Sequence, residues 1–133
     1  MSAQIIRAYY RAFNARDYTS MVALLSDDVI HDINQGAREV GRDRFAAFLE
    51  RMDGAYRELV EDLVVLESEN GARFAAEFTV IGKYLQASEP GMPEANGQSY
   101  RLTAGAFFAI EDERITRVTM YYNVREWLAQ VSG

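Results

Sequence analysis

Cysteine is absent from this chain, and histidine and tryptophan occur once each. Without a thiol there is no disulfide framework, no thiolate nucleophile and no cysteine-held metal. One histidine leaves a transition metal to be held mostly by carboxylates, so no metal site is expected. Basic residues are scarce too: 14 Lys and Arg stand against 20 Asp and Glu, for a net charge of −6. None of them cluster densely enough to follow a phosphate backbone, so nucleic acid is not an expected partner. Long apolar runs are missing as well. The opening Met1-Ser2-Ala3-Gln4-Ile5-Ile6-Arg7 has no basic stretch followed by an apolar one, and no window reaches membrane-spanning length. Membrane association is therefore not expected, and the location reads as cytoplasmic. No glycine-rich phosphate cradle occurs, so no organic cofactor is expected.

What is present suits one globular domain over residues 1–133. Apolar residues make up 49% of the 133 and charged residues 26%, too apolar a balance for disorder and long enough for a single core. Ile6, Tyr9, Tyr10 and Phe13 recur at helical spacing and predict a helix over 3–15. Thr19 or Ser20 can cap a short second helix carrying Met21, Val22, Leu24 and Leu25, stopped by Ser26-Asp27-Asp28. Residues 29–34 read as a short strand and 35–41 as a loop. Phe45, Phe48, Leu49 and Met52 at i, i+3, i+4, i+7 predict a third helix over 42–52. Four extended segments follow: 59–67, 74–84, 100–110 and 114–124. Glu69-Asn70-Gly71 and Glu111-Asp112-Glu113 supply tight turns, and 86–98, with both prolines, a long loop. A last turn over 125–131 carries the tryptophan.

Helices followed by an antiparallel meander make an α+β domain. The expected architecture is a cone: a curved antiparallel, or mixed, sheet with three N-terminal helices packed on its concave face and a pocket enclosed between them. Alternation places Phe74, Ala76, Phe78, Val80, Gly82 and Tyr84 on one face of their strand, and Val118, Met120 and Tyr122 on one face of theirs. Thr103, Gly105, Phe107, Thr119 and Tyr121 fall on the opposite, outer face.

The stretch most suggestive of chemistry is Asp27-Asp28-Val29-Ile30-His31-Asp32-Ile33-Asn34-Gln35-Gly36, which puts the only histidine beside an aspartate in an apolar run. In a regular strand these neighbours point to opposite faces, so they cannot form a dyad, and only one can enter the core.

Tyr9-Tyr10-Arg11-Ala12-Phe13-Asn14-Ala15-Arg16-Asp17, Met21-Val22-Ala23-Leu24-Leu25-Ser26-Asp27-Asp28-Val29, Gly41-Arg42 and Glu113-Arg114-Ile115-Thr116-Arg117-Val118 resemble the nuclear transport factor 2-like superfamily. The likeness is to its ketosteroid isomerase and SnoaL-like polyketide cyclase branch and covers nearly the whole chain. Ketosteroid isomerases use an aspartate base with a tyrosine and a protonated carboxylic acid as oxyanion donors. Counting back from Asn14, the resemblance puts the donor tyrosine on Tyr9. The second donor falls on Ala106, where no acid stands. Counting forward from Asp27-Asp28 puts the base on Ile33; counting back from Gly41 puts it on Asp32.

The resemblance with a one-residue deletion before His31 thus implies Asp32 as acid/base, pointing into the pocket with His31 pointing out. The ungapped register instead offers His31 to the pocket. Phe48, Met52, Tyr56, Ala106, Met120 and Tyr122, with His31, are the expected ligand contacts. The implied activity is proton transfer, by isomerisation or cyclisation, on a small, largely apolar carbonyl compound, with steroid isomerisation itself disfavoured by Ala106. A non-catalytic binder of the same fold, and an epoxide or ester hydrolase needing an Asp-Arg-Asp set inside the pocket, are the alternatives. In many relatives the outer sheet face forms a homodimer, which is the expected assembly.

Overall fold

Thirteen residues, Ser2–Asn14, form helix α1 with Ile6, Tyr9 and Tyr10 buried on one face. These belong to a computed structural model that describes residues 2–34 and 36–132. Asp17 then caps the short helix α2, Tyr18–Ala23, its carboxylate accepting from the Ser20 backbone N–H at 3.2 Å. Strand β1 covers Leu25–Asp32, starting earlier than the sequence pattern indicates. Ile115 donates its backbone N–H to the Leu24 carbonyl, which draws the chain into the sheet as soon as α2 ends.

Part of the expected loop after β1 is also sheet. Gly36 N–H donates to the Ile33 carbonyl and Ile33 N–H to the Ala37 carbonyl, reversing the chain. Arg38–Val40 then form β2, antiparallel to β1. Gln35, which opens that loop, lies outside the described residues.

Helix α3 covers Arg42–Ala55 and runs directly into β3, Tyr56–Glu67. Strands β4, Arg73–Tyr84, β5, Gln98–Glu111, and β6, Arg114–Tyr122, complete a six-stranded sheet in the order β2-β1-β6-β5-β4-β3. The β1–β6 pairing is parallel and the rest are antiparallel, so the sheet is mixed. The β5–β6 turn has Asp112 and Glu113 both at positive φ, 50° and 61°, the geometry that matches strand twist in a two-residue hairpin. The final turn is a helix, α4, Val124–Val131, capped by Asn123, whose side chain accepts from the Glu126 N–H at 3.1 Å. The described residues thus form four helices.

The sheet curls without closing, and α3 spans its opening, touching β1 and β2 at one edge and β3 at the other. A bulge in β3 between Glu61 and Val64, with Asp62 at φ 55°, supplies part of the bend. Strand β3 is an edge, and the amide group of Asn14 covers it: Nδ2 donates to the Val60 carbonyl at 2.9 Å and Oδ1 accepts from the Val60 N–H at 2.8 Å. This clamp occupies backbone groups that would otherwise offer a pairing edge, and it fixes α1 across the concave face.

Candidate functional site

Strand pairing decides which side chains enter the cone. Phe108 is buried and pairs with Val118 across β5 and β6; Val118 in turn pairs with His31 across the parallel β6–β1 ladder. His31 therefore faces inward and is 7% exposed. Its ring lies 4.5 Å from that of Phe45 and 4.7 Å from that of Phe48. Burial lowers the imidazole pKa, against smaller raising effects from Glu39 and Asp32.

Asp32 faces the other way, which corrects the register that sends it into the pocket. Its side chain is 22% exposed on the outer face, where Arg38 Nε donates to Oδ1 at 2.7 Å and Arg117 Nε to Oδ2 at 3.1 Å. Thr119 Oγ1 donates to Oδ2 at 3.3 Å. Hydrogen bonding to Arg38 holds the carboxyl below the usual carboxylate range, with Arg117 adding to it. The physical reason is local: two guanidinium groups sit outside, whereas inside the strand meets phenylalanine rings, and an unpaired carboxylate there would be costly. Asp32 does not reach the interior. The same ion pairs place Arg38 and Arg117 outside, so the Asp-Arg-Asp set that a hydrolase would need is not formed in the cone by the described residues.

Tyr9 does enter the cone, 5% exposed, packed edge-on against Tyr10 and Phe108 at ring separations of 5.0 and 5.4 Å. Burial pushes its hydroxyl pKa well up, so the phenol stays a proton donor at neutral pH. Ala106, paired with Met120, and Ala104, paired with Tyr122, lie on the same inner face. Phe48 stands over His31. Met52 and Tyr56 line a small cleft of about 30 Å³ with Phe13, Tyr18, Leu49, Asp53 and Glu58. That is room for a water or two, so a ring-sized ligand enters only when side chains on α3 or α1 move aside. At the rim, Arg16 holds Asp53 through both carboxylate oxygens at 3.0 and 2.8 Å, and Tyr18 donates to it at 2.8 Å.

The group best placed for chemistry is one the sequence pattern passes over. Glu58 turns its carboxyl into the cone and accepts a hydrogen bond from the Tyr100 hydroxyl. Desolvation raises the Glu58 pKa, partly offset by the Tyr100 bond. Tyr100 is raised in turn by its own burial and then by Glu58. The pair belongs to one row across three strands, because Gly82 pairs with both Glu58 and Tyr100. Tyr100 must reach over β4 to touch Glu58, and the missing side chain of Gly82 leaves it the space: a Cβ there would lie 2.6 Å from Tyr100 Cε2.

Tyr56 and Tyr122 complete the polar cluster, both with hydroxyls raised chiefly by burial, and Tyr122 also by the nearby Tyr56 and Glu58. Trp127 of α4 closes this end, its ring 6.1 Å from Tyr56, 5.0 Å from Tyr84 and 6.2 Å from Tyr100. Gln130 anchors the helix, accepting from the Arg101 N–H at 2.7 Å and donating to its carbonyl at 2.9 Å. The long loop between β4 and β5 lies against the same end, through Tyr84 donating to the Pro93 carbonyl at 2.6 Å and Tyr56 meeting Ser88 at 3.3 Å.

The raised Glu58 pKa has a stability consequence with a definite sign. A carboxyl whose folded pKa exceeds its unfolded value favours folding below the ordinary 4.5. That contribution is lost as pH rises through the folded value. Urea midpoints of the wild type should therefore fall relative to Glu58→Gln as pH rises from 4.5 through the folded pKa, then run parallel. A gap that stayed constant across that range would show that Glu58 titrates normally.

Comparison with known proteins agrees with this architecture. The SnoaL-like domain profile matches residues 6–118. A proposed polyketide cyclase of Pseudomonas putida KT2440 is 55% identical, with 98% of each chain covered and a TM-score of 0.94. One from Xanthomonas campestris pv. campestris is 51% identical, covering 98% of this chain and 96% of the other at a TM-score of 0.93. A third, from Silicibacter sp. TM1040, is 47% identical, covering 99% and 96% at 0.95. No curated protein matches the chain in sequence.

Proposed function

The chain belongs to the SnoaL-like domain family, and from that premise we propose that it catalyses proton transfer on a small, largely apolar carbonyl compound held in the cone, as an isomerase or cyclase without an organic cofactor. The observation that carries this reading is Glu58: a carboxyl raised by desolvation, bonded to one buried tyrosine and bordering the cleft. A base of that kind removes a proton alpha to a carbonyl, and its raised pKa brings it closer to neutral pH, where acid–base catalysis works best. Tyr100, Tyr122 and Tyr9 are neutral phenols able to donate to the oxygen on which charge develops. The described inner-face residues of the strands include no lysine or arginine, which favours an uncharged substrate over a carboxylate or phosphate. The three cyclase-like relatives support the same class of reaction.

The test is solvent exchange. Incubating the protein with a panel of neutral aromatic 1,3-dicarbonyl compounds in D2O and following the alpha proton by NMR should show catalysed exchange. Saturable binding without exchange across the panel would instead identify a binder.

A second copy of this chain is the proposed partner, seated on the outer sheet face. Leu66, Phe107 and Tyr121 are 57%, 49% and 51% exposed there. They form one continuous surface, because Ala75 pairs with both Leu66 and Phe107, and the Phe107 and Tyr121 rings meet at 5.8 Å. Apolar patches of this kind mark interaction sites, and aromatic residues at an interface centre contribute about 2 kcal/mol or more each. Light scattering should report a dimer for the wild type and a monomer for Phe107→Asp/Tyr121→Asp; a monomeric wild type refutes the assembly.

A further inference from the structure

Two buried polar atoms outside the Glu58 cluster lack partners and sit on residues that face each other. His31 Nδ1 and Glu39 Oε1 are both sealed from solvent without a hydrogen bond. His31 and Glu39 are direct partners in the antiparallel β1–β2 ladder, so their side chains share one face with Cβ atoms about 5 Å apart. Leaving both groups unsatisfied is costly, and as cross-strand neighbours each is the other's nearest candidate partner on that face. Asp32 cannot serve as the partner, since it lies on the reverse of the strand with Arg38 and Arg117.

We propose that His31 and Glu39 form a second acid–base couple inside the cone. Glu39 is the positioning residue that accepts a hydrogen bond from Nδ1–H, and His31 Nε2 exchanges a proton with the bound carbonyl compound. In that step the substrate C–H proton moves to Nε2, the C–H electron pair enters the enolate, and the imidazolium formed is held by the Glu39 carboxylate. Returning the proton to another carbon completes an isomerisation; in a ring closure the enolate carbon instead bonds to a second carbonyl carbon of the same compound, whose oxygen takes the proton, and neither outcome needs an oxidant or reductant. The use of Nε2 as proton acceptor rests on the reading of the cone as a proton-transfer site; the tautomer and its coupling to Glu39 do not. The charges around the imidazole are few. Strand β1 offers only the reverse-side Asp32, β2 offers Glu39, and β6 presents Val118. Helix α3 presents Phe45 and Phe48, the latter with the Arg51 guanidinium 5.6 Å from its ring centre.

His31 is the only histidine, so its nitrogens give a single set of NMR signals in the 15N-histidine-labelled protein. The wild type at pH 8 should show the Nδ1–H tautomer. Glu39→Gln, which can still accept that bond, should keep the tautomer but lower the imidazole pKa by about one unit, as removal of a nearby opposite charge does. Glu39→Ala should switch the ring to the Nε2–H form. In the exchange assay, the pH profile of Glu39→Gln should move by the same amount as its imidazole pKa. An Nε2–H wild type, or a titration unchanged by both variants with the remaining spectrum intact, overturns the couple without bearing on Glu58. An exchange profile that ignores the imidazole shift overturns the role of Nε2.

Discussion

Glu58→Gln should slow alpha-proton exchange by roughly 10²–10⁴-fold, the usual contribution of a positioned acid–base group. Glutamine matches the volume of glutamate and its carbonyl still accepts from the Tyr100 hydroxyl, so the cone keeps its packing while the proton acceptor disappears. Ligand affinity in the variant should change little, which separates loss of chemistry from loss of the site. The wild-type rate should rise with pH through the raised Glu58 pKa, because the ionised carboxylate is the acting form and desolvation delays its appearance. The limb set by Glu58 should vanish in Glu58→Gln, leaving only the limb that follows the His31 imidazole. A variant within tenfold of the wild type, or one that keeps both limbs, would transfer the role to another group in the cone, with His31 the first to examine.

Much of the fold is legible in the chain because it is written locally. The alternation of β4 and β6, the tight turns after Glu67 and Glu111, and the apolar stripe of α3 each depend on residues within a few positions of one another. The orientation of β1 is a different matter. In Ile30-His31-Asp32-Ile33 two apolar residues flank two polar ones, so no period-2 signal marks the inner side. The decision comes from the pairing of His31 with Val118, 87 positions away, and from Arg38 and Arg117 meeting Asp32 outside. A family register counted through a gap carries no information about that ladder, and it selects the wrong neighbour. The pattern does place Tyr9, Ala106, Met120 and Tyr122 on the side the structure gives them. Glu58 escapes because a glutamate in a strand reads as a solvent-facing residue. Carrying the alternation back from the apolar Val60 would have put Glu58 and Tyr56 on one face, and that is the signal available in the sequence.

Gly82→Ala carries the second large effect, and it tests how Tyr100 reaches Glu58. Neighbouring strands lie about 4.8 Å apart, so a side chain on β5 that touches one on β3 must cross the whole width of β4. The Tyr100 ring does this over Gly82, and an added Cβ would stand 2.6 Å from Cε2, well inside van der Waals contact. The ring cannot swing freely, since Trp127 packs against it at 6.2 Å. Overpacking of this kind costs about 1–3 kcal/mol. Displacing the phenol also removes the Glu58 hydrogen bond, so exchange should fall by roughly the 10²–10³-fold typical of a lost donor.

The two losses should separate in a double variant. Gly82→Ala/Tyr100→Ala relieves the clash, so its stability should exceed the sum of the single effects by about 1 kcal/mol or more, the non-additivity of residues in contact. Its activity should not recover, because the donor is gone. If Gly82→Ala keeps full exchange activity and the denaturation midpoints of the three variants simply add, Tyr100 does not cross β4 at Gly82, and Glu58 would have to draw its hydrogen bond from elsewhere in the cone.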